Sequence, residues 1–364
     1  MRFLRNNITG KRIAWIIFLL FFAGTVSAGI ETEKEHEKEN LDVYELIFGH
    51  INDDYSWHLI TISGKDISIP LPVIVKSNER GWFVFSSSRF DHGHAAYEGF
   101  EISQSADFKG KVVEIVSGQE VRPWDISITK NTFSLFVATA LVLIVMLGMA
   151  RSYKKDPLKR PTGIQAFMEP IIVMVDQEIA KACIGKNYKK FSPYILTVFF
   201  FILFMNLLGI IPIFPGGANV TGNIAITLVL AVATFIMTNF HGTREYWREV
   251  FWPDVPILLK APVPLMPVIE IIGVITKPIS LMIRLFANIL AGHIMILVMI
   301  GLIFIFTMLS PYVGAAVSVF SVALVVFISF LELLVCFIQA YVFAMLSAIF
   351  IGMGQVEPHH HPSK

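Results

Sequence analysis

Two stretches near the C-terminal end, Pro262–Phe306 and Tyr312–Ile351, each run for about 40 residues of almost unbroken apolar sequence, linked by a short turn at Ser310-Pro311. At ~1.5 Å per residue such a run makes ~60 Å of helix, about twice the hydrocarbon thickness of a bilayer. Each run must therefore hold two spans or one steeply tilted helix. Two spans need a polar turn in the middle, and neither run offers a clear one. A pair of long, tilted helices packed as a hairpin is expected. The whole chain agrees: 55% of its residues are hydrophobic and 16% charged, with a mean hydropathy of +0.65. Soluble domains carry about 25% charged residues. A soluble cytosolic enzyme and a disordered chain are both excluded.

Three further spans are expected upstream. Asn131–Ala150 is a 20-residue stretch without charge, followed at once by Arg151, Lys154, Lys155, Lys159 and Arg160. Positive charge collects on the cytoplasmic side, so this span runs inward. Pro161–Gly185 differs: Ile164, Phe167, Met168, Ile171, Ile172 and Val175 recur at helical spacing among Asp176, Glu178 and Lys181. It reads as an amphipathic helix on the inner surface. Pro193–Phe214 and Gly222–Phe240 are the next two spans, around an uncharged outer turn. Residues 241–261 and the tail 353–364 are placed in the cytoplasm.

The N-terminus has four basic residues ahead of the apolar run Ile13–Ala23, then Val26-Ser27-Ala28. That is the pattern of a secretory signal peptide over residues 1–28, with a short uncleaved anchor as the alternative. Residues 29–130 hold ten Lys and Arg against eighteen Asp and Glu. They are read as a small, mostly β, periplasmic region opening on a charged, solvated arm at 31–40. Leu41–Phe48 is expected to be a short helix; His58–Ile62, Ile67–Val75 and Trp82–Phe85 are expected strands. Pro70 and Pro72 should place the middle run at an edge or break it. His92-Gly93-His94, with His50, His58 and Asp91, could ligate a metal, but surface histidines are the preferred reading and no metal site is assigned. Cys183 and Cys336 lie too far apart, in segments too different, for a disulfide framework.

Inside the two long runs sit Glu270, Lys277, Arg284, His293, Glu332 and Gln339. An ionised side chain at mid-bilayer costs about 2.5–3.5 kcal/mol even on the lenient insertion scale, so function is the default explanation. Glu270, Lys277 and Arg284 are spaced seven and seven, which lines them on one stripe, with Asn288 a turn beyond Arg284. His293, nine residues past Arg284, faces the other side. Glu332 and Gln339 share a face of the last helix. Structural pairing or snorkelling remains open for Glu270 and Lys277, and interhelical hydrogen bonding for Asn288 and Gln339.

The run Lys277-Pro-Ile-Ser280-Leu-Met-Ile-Arg284-Leu-Phe-Ala-Asn288-Ile-Leu-Ala-Gly292-His293 closely resembles the core motif of subunit a of F-type ATP synthases. Ile338-Gln339-Ala-Tyr-Val-Phe343 resembles the last-helix motif of that family, and Phe204-Met-Asn206-Leu-Leu-Gly-Ile-Ile-Pro212 the segment closing its second span. The resemblance covers roughly residues 120–352. It implies that Arg284 is the essential arginine of a proton path, that Asn288 and Gln339 line it, and that Glu270 is the acid on the cytoplasmic side. Lys277, Ser280 and Asn206 are supporting polar residues. His293 and Glu332 stand exchanged relative to many bacterial members, as in mitochondrial relatives, which suggests that the pair matters rather than the order. Asn219–Thr227 fits the family only loosely, and no site is placed there.

The expected fold is mainly α, a polytopic protein of the cell inner membrane with about five membrane helices and the β-rich N-terminal region. The expected function is the stator side of proton translocation. Two aqueous half-channels would load and unload carboxylates of a rotating c-ring across Arg284. At ~4 Å and an effective dielectric constant of ~20, an arginine attracts such a carboxylate by ~4 kcal/mol. It does not release its own proton, so protons cannot short-circuit through it. Histidine and glutamate suit the opposite task of relaying protons. Expected partners are the c-ring, peripheral-stalk subunit b, the other synthase subunits and the lipid bilayer, with no nucleic acid and no cofactor. Proton or sodium coupling stays open. The chain has no G-x-x-x-x-G-K-[ST] motif, so it is not expected to be catalytic alone. The rival reading is an ion-coupled secondary transporter, for which the inverted repeats are missing.

Overall fold

The computed structural model describes residues 53–62, 65–93, 95–105, 108–116, 118–155, 160–211, 216–252 and 265–355, all within one compact unit. The expected signal peptide, the charged arm, the Leu41–Phe48 helix, His50, His94 and most of the tail lie outside the described residues.

The N-terminal region is built of short antiparallel strands. β1 (Ser56–Ile62) pairs with β2 (Lys65–Pro70) as a hairpin. β3 (Pro72–Ser77), β4 (Gly81–Ser86) and β8 (Trp124–Asp125) form a second sheet in the order β4-β3-β8. β5 (Phe100–Ile102), β6 (Val112–Val116) and β7 (Gln119–Val121) form a third. The run expected as one strand over Ile67–Val75 is divided at Leu71 between β2 and β3. Pro70 and Pro72 supply no ladder donor on either side of it. Period-two alternation drives Val73 and Val75 inward with Tyr55, Phe90, Phe100 and Val112 to make the core of this region. Tyr55 donates a hydrogen bond to Asp125, and burial, then that hydrogen bond, pushes the phenol pKa above its ordinary value.

The helices follow in the expected order. α1 (Lys130–Lys155) is the first span. α2 (Ile164–Val173) passes through a π-helical stretch, Met174–Lys181, and two short turns into α3 (Tyr188–Ile210). Residues Ile164–Ile210 are together long and apolar enough to cross a membrane, and half of their most apolar window is buried. Val175, Ile179 and Ala180 join the main core. α4 (Ile224–Phe240) is capped by the Asn223 side chain accepting from the Ala225 amide. It turns by 104° into α5 (Arg244–Phe251).

α6 (Leu265–Leu309, 45 residues) and α7 (Pro311–Gly354, 44 residues) are each one helix, as expected for the hairpin. Pro311 opens α7 at the first turn, where its missing N–H costs nothing. Gly314 lies so close to Thr307 that a Cβ would sit 2.5 Å from its hydroxyl, so the tip closes only around a glycine. α7 buries Cys336, Ala340, Phe343, Ala344 and Ala348 against α3; α6 buries one narrow stripe of Leu281, Leu285 and Ile289. Only 11% of the most apolar window of α6 is buried, so most of its surface is left for lipid or a partner. With α1, the Ile164–Ile210 segment and the bent α4–α5 pair, up to five membrane spans result. The chain is a multi-pass membrane protein.

Candidate functional site

The charged residues of α6 divide by face. Arg284 is exposed, as are Ser280 and Asn288 beside it, and Arg284 makes no hydrogen bond or ion pair with any described residue. Leu281 and Leu285 on the neighbouring face are buried, which fixes the orientation of the helix and leaves the guanidinium pointing away from the core. The stripe expected from the seven-residue spacing is only partly kept. Glu270 and Lys277 are half-buried while Arg284 is exposed, because Phe350, Tyr246 and their neighbours pack over that end of the helix and nothing described packs over Arg284; the drift of ~20° per seven residues is too small to do it.

Toward the end of the bundle that meets the β region lies one polar cluster. His293 Nδ1 is 3.3 Å from Glu332 Oε1. The atoms stand at ion-pair distance but out of line for a hydrogen bond, so neither Glu332 oxygen has a hydrogen-bond partner among the described residues. Glu332 is 5% exposed. It lies over Gly292, where a Cβ would come within 2.9 Å of Oε1. The other ring nitrogen of His293 faces Gly209 of α3, which itself packs against the Ala218 carbonyl. Close by, the Thr221 hydroxyl donates to Asn206 Oδ1 at 2.7 Å. The Nδ2 atoms of Asn206 and Asn219 are buried without partners among the described residues. The connection 216–222 thus forms a wall of this cluster. The sequence alone places no site there; one asparagine, Asn219, and one threonine, Thr221, in an uncharged turn are the available signal.

A second polar cluster lies toward the other end. Lys277 Nζ is 5.9 Å from the centre of the Phe350 ring and lines a small pocket with Thr234, Thr238, Asn239 and Tyr246. Thr234 is within hydrogen-bond distance of both Tyr194 (2.8 Å) and Ser347 (3.2 Å). The Tyr246 hydroxyl donates to Asn239 at 3.2 Å, and Tyr246 is close enough to feel the charge of Glu270. Between the clusters, Asn288 Nδ2 donates to Gln339 Oε1 at 2.9 Å, tying α6 to α7 one turn from Arg284. On α6, Lys277 and His293 stand ~10 Å and ~14 Å from Arg284 in opposite directions. Among the described residues no group of three or more His, Cys, Asp or Glu side chains could hold a metal ion.

The family described as ATP synthase A chain matches residues 132–352, well over half of the sequence and all but the first two and last two residues of the helical part. The chain belongs to that family. Its relatives include ATP synthase subunit a of Chloroherpeton thalassium, 38% identical over 278 residues, covering 75% of this chain and 78% of the relative. ATP synthase subunit a of Chlorobium phaeobacteroides is 43% identical over 243 residues, 65% of this chain and 68% of the relative. That of Myxococcus xanthus is 42% identical over 243 residues, 65% and 76% respectively. The β region, residues 46–127, matches a separate family of unknown function, DUF8433. Two families thus meet at the start of α1, where the ATP synthase A chain match begins.

Proposed function

We propose that this chain is the proton-translocating stator subunit of the membrane sector of an F-type ATP synthase, with Arg284 as the barrier between two half-channels. The observation that carries the reading is Arg284 itself: a permanent cation, unpartnered among the described residues, on the open face of an apolar helix, with a polar cluster on either side. A lone arginine on a lipid-facing surface is too costly to persist. It is accounted for when a partner brings a carboxylate to it, and a rotating c-ring bearing one mid-membrane acid per subunit is such a partner. The exposed apolar residues flanking it, Ile279 and Ile283 on α6 and Leu331 and Ile338 on α7, suit that contact.

In this reading His293 and Glu332, beside Asn206 and Thr221, carry protons from the periplasmic side. Glu270, with the Lys277 pocket, serves the cytoplasmic side. The buried oxygens of Glu332 and the amide groups of Asn206 and Asn219 call for water or a proton, as a relay requires. Asn288 and Gln339 hold the two long helices in register at the barrier. ATP chemistry is carried by other subunits, and peripheral-stalk subunit b holds this chain against rotation. The setting is the cell inner membrane, with the β region outside and the tail inside. Gentle solubilisation and purification by this chain should bring down a carboxylate-bearing ring and an ATPase sector; recovery of a homogeneous protein without either would overturn the assignment.

A further inference from the structure

The β4-β3-β8 sheet has one face in the core of the β region and one that carries apolar residues in rows. Strand register sets the rows. Ile74 stands opposite Val84, and Lys76 stands between Trp82 on one side and Trp124 on the other. Past β8 the chain goes on bonding along β3, with the Ile126 amide donating to Ile74 and the Ile128 amide to Pro72. Trp82 is 57% exposed, Val84 71%, Trp124 71% and Ile126 60%. Outward positions of a half-buried sheet are normally polar. Here the aliphatic row of Val84, Ile74 and Ile126 is followed by a Trp-Lys-Trp row, with the Lys76 ammonium 5.7 Å from the centre of the Trp82 ring.

The strand at this face leads directly into a membrane-spanning helix. Two residues after Ile128 the first span begins, its Lys130 amide donating to the Asp54 carbonyl at 2.8 Å. The Asn131 amide donates to Asp53, and Trp57 packs edge-on against Phe133 of α1, 5.7 Å between ring centres. These contacts fasten the β region onto the end of the helix, so it cannot stand off on a loose linker. On α1 the exposed residues Phe136, Leu143, Ile144 and Leu147 present the lipid-facing surface. From the helix outward the order is a mixed row of Ser86, Pro72 and Ile128, then the aliphatic row of Val84, Ile74 and Ile126, then tryptophan and lysine. That is the order of a bilayer from hydrocarbon to headgroup, where tryptophan rings sit at the boundary and lysine reaches phosphate.

We infer that the β4-β3-β8 face of the N-terminal region is a lipid-binding surface that rests on the headgroup–hydrocarbon boundary of the bilayer around the start of α1. Lys76 contacts lipid phosphate, and Trp82 and Trp124 flank it as interfacial anchors. The face would brace the first span and the β region as one body on the bilayer surface. This inference does not depend on the proton path.

The test uses the assembled complex in phospholipid vesicles, in a background lacking Cys183 and Cys336. Nitroxide labels are placed at Val84→Cys, Ile126→Cys and, on a different sheet, Gln119→Cys. All three positions are exposed, so the labels leave the core intact. Collision with dissolved oxygen, which concentrates in lipid, is compared with collision with a water-soluble nickel complex. The oxygen-to-nickel ratio at positions 84 and 126 is expected to exceed that at 119 several-fold. Equal ratios at all three would show a face in water and overturn the inference. Low collision with both agents at 84 and 126 would show a face covered by protein and overturn it equally.

Discussion

His293 and Glu332 provide the most informative perturbation of the proposed relay. Their facing atoms are 3.3 Å apart in a largely buried setting. Exchanging one residue only, as His293→Glu or Glu332→His, places two like groups at that separation. At an effective dielectric constant of ~20, two unit charges at this distance interact by about 5 kcal/mol. A single exchange therefore turns an attraction available to the native pair into a repulsion of the same size, of which side-chain movement and water relieve most. Coupling energies measured between contacting residues run at roughly 0.5–3 kcal/mol, and 1.4 kcal/mol is about a factor of ten. Each single variant should thus pump protons about tenfold more slowly or worse, whereas the double exchange should return to within about threefold of the native rate. The assay is ATP-driven acidification of inverted membrane vesicles for the four proteins, normalised to the amount of assembled complex. A double variant as slow as the product of the two singles, about a hundredfold down, would refute the claim that the two residues act as one unit.

Gly292→Ala puts a Cβ within 2.9 Å of Glu332 Oε1, so the carboxyl must swing aside by ~0.5 Å. Pumping should fall about threefold to tenfold with assembly unchanged, since small misplacements of reacting groups cost this much or more; unchanged pumping would show that the separation is not critical. A cysteine at the exposed Gln119 should react with an impermeant reagent added from the periplasmic side, and labelling from the cytoplasmic side alone would invert the topology. Tyr55 has its pKa raised in the folded β region, so the stability it contributes is present below the usual tyrosine value of about 10 and is lost as pH rises above it. Alkaline melting followed by the near-ultraviolet signal should be steeper for the native chain than for Tyr55→Phe, which loses ~1 kcal/mol at neutral pH; identical alkaline slopes would show that this phenol is not responsible.

Much of the membrane part was legible because hydropathy in a bilayer is a coarse signal. The absence of a polar break in Pro262–Phe306 was enough to expect one long helix, and α6 is one. The exposure of Arg284 followed less directly: seven-residue spacing puts it with Glu270 and Lys277, but Phe350 and Tyr246 pack over that end of the helix only, which periodicity does not reveal. The contact between His293 and Glu332 joins residues 39 positions apart on two helices, which periodicity alone cannot pair. The resemblance drew attention to the two positions, and the hairpin geometry brought them together. The part played by Ala218, Asn219 and Thr221 was missed because an irregular connection has no period to read. The strands β5 to β8 were missed for a related reason. They are two to five residues long, too short for alternation to stand out, and tertiary pairing rather than local propensity forms them.

The central claim is that a permanent positive charge at position 284 separates two half-channels. It is tested most directly by Arg284→Lys, measured as ATP-driven proton pumping in vesicles where the assembled complex has been quantified. The substitution keeps a cation of similar reach but one that can lose its proton in an apolar setting. The account predicts full assembly, retained ATPase activity of the detached catalytic sector, and no proton pumping. Pumping at the native rate by the assembled Arg284→Lys complex would contradict it.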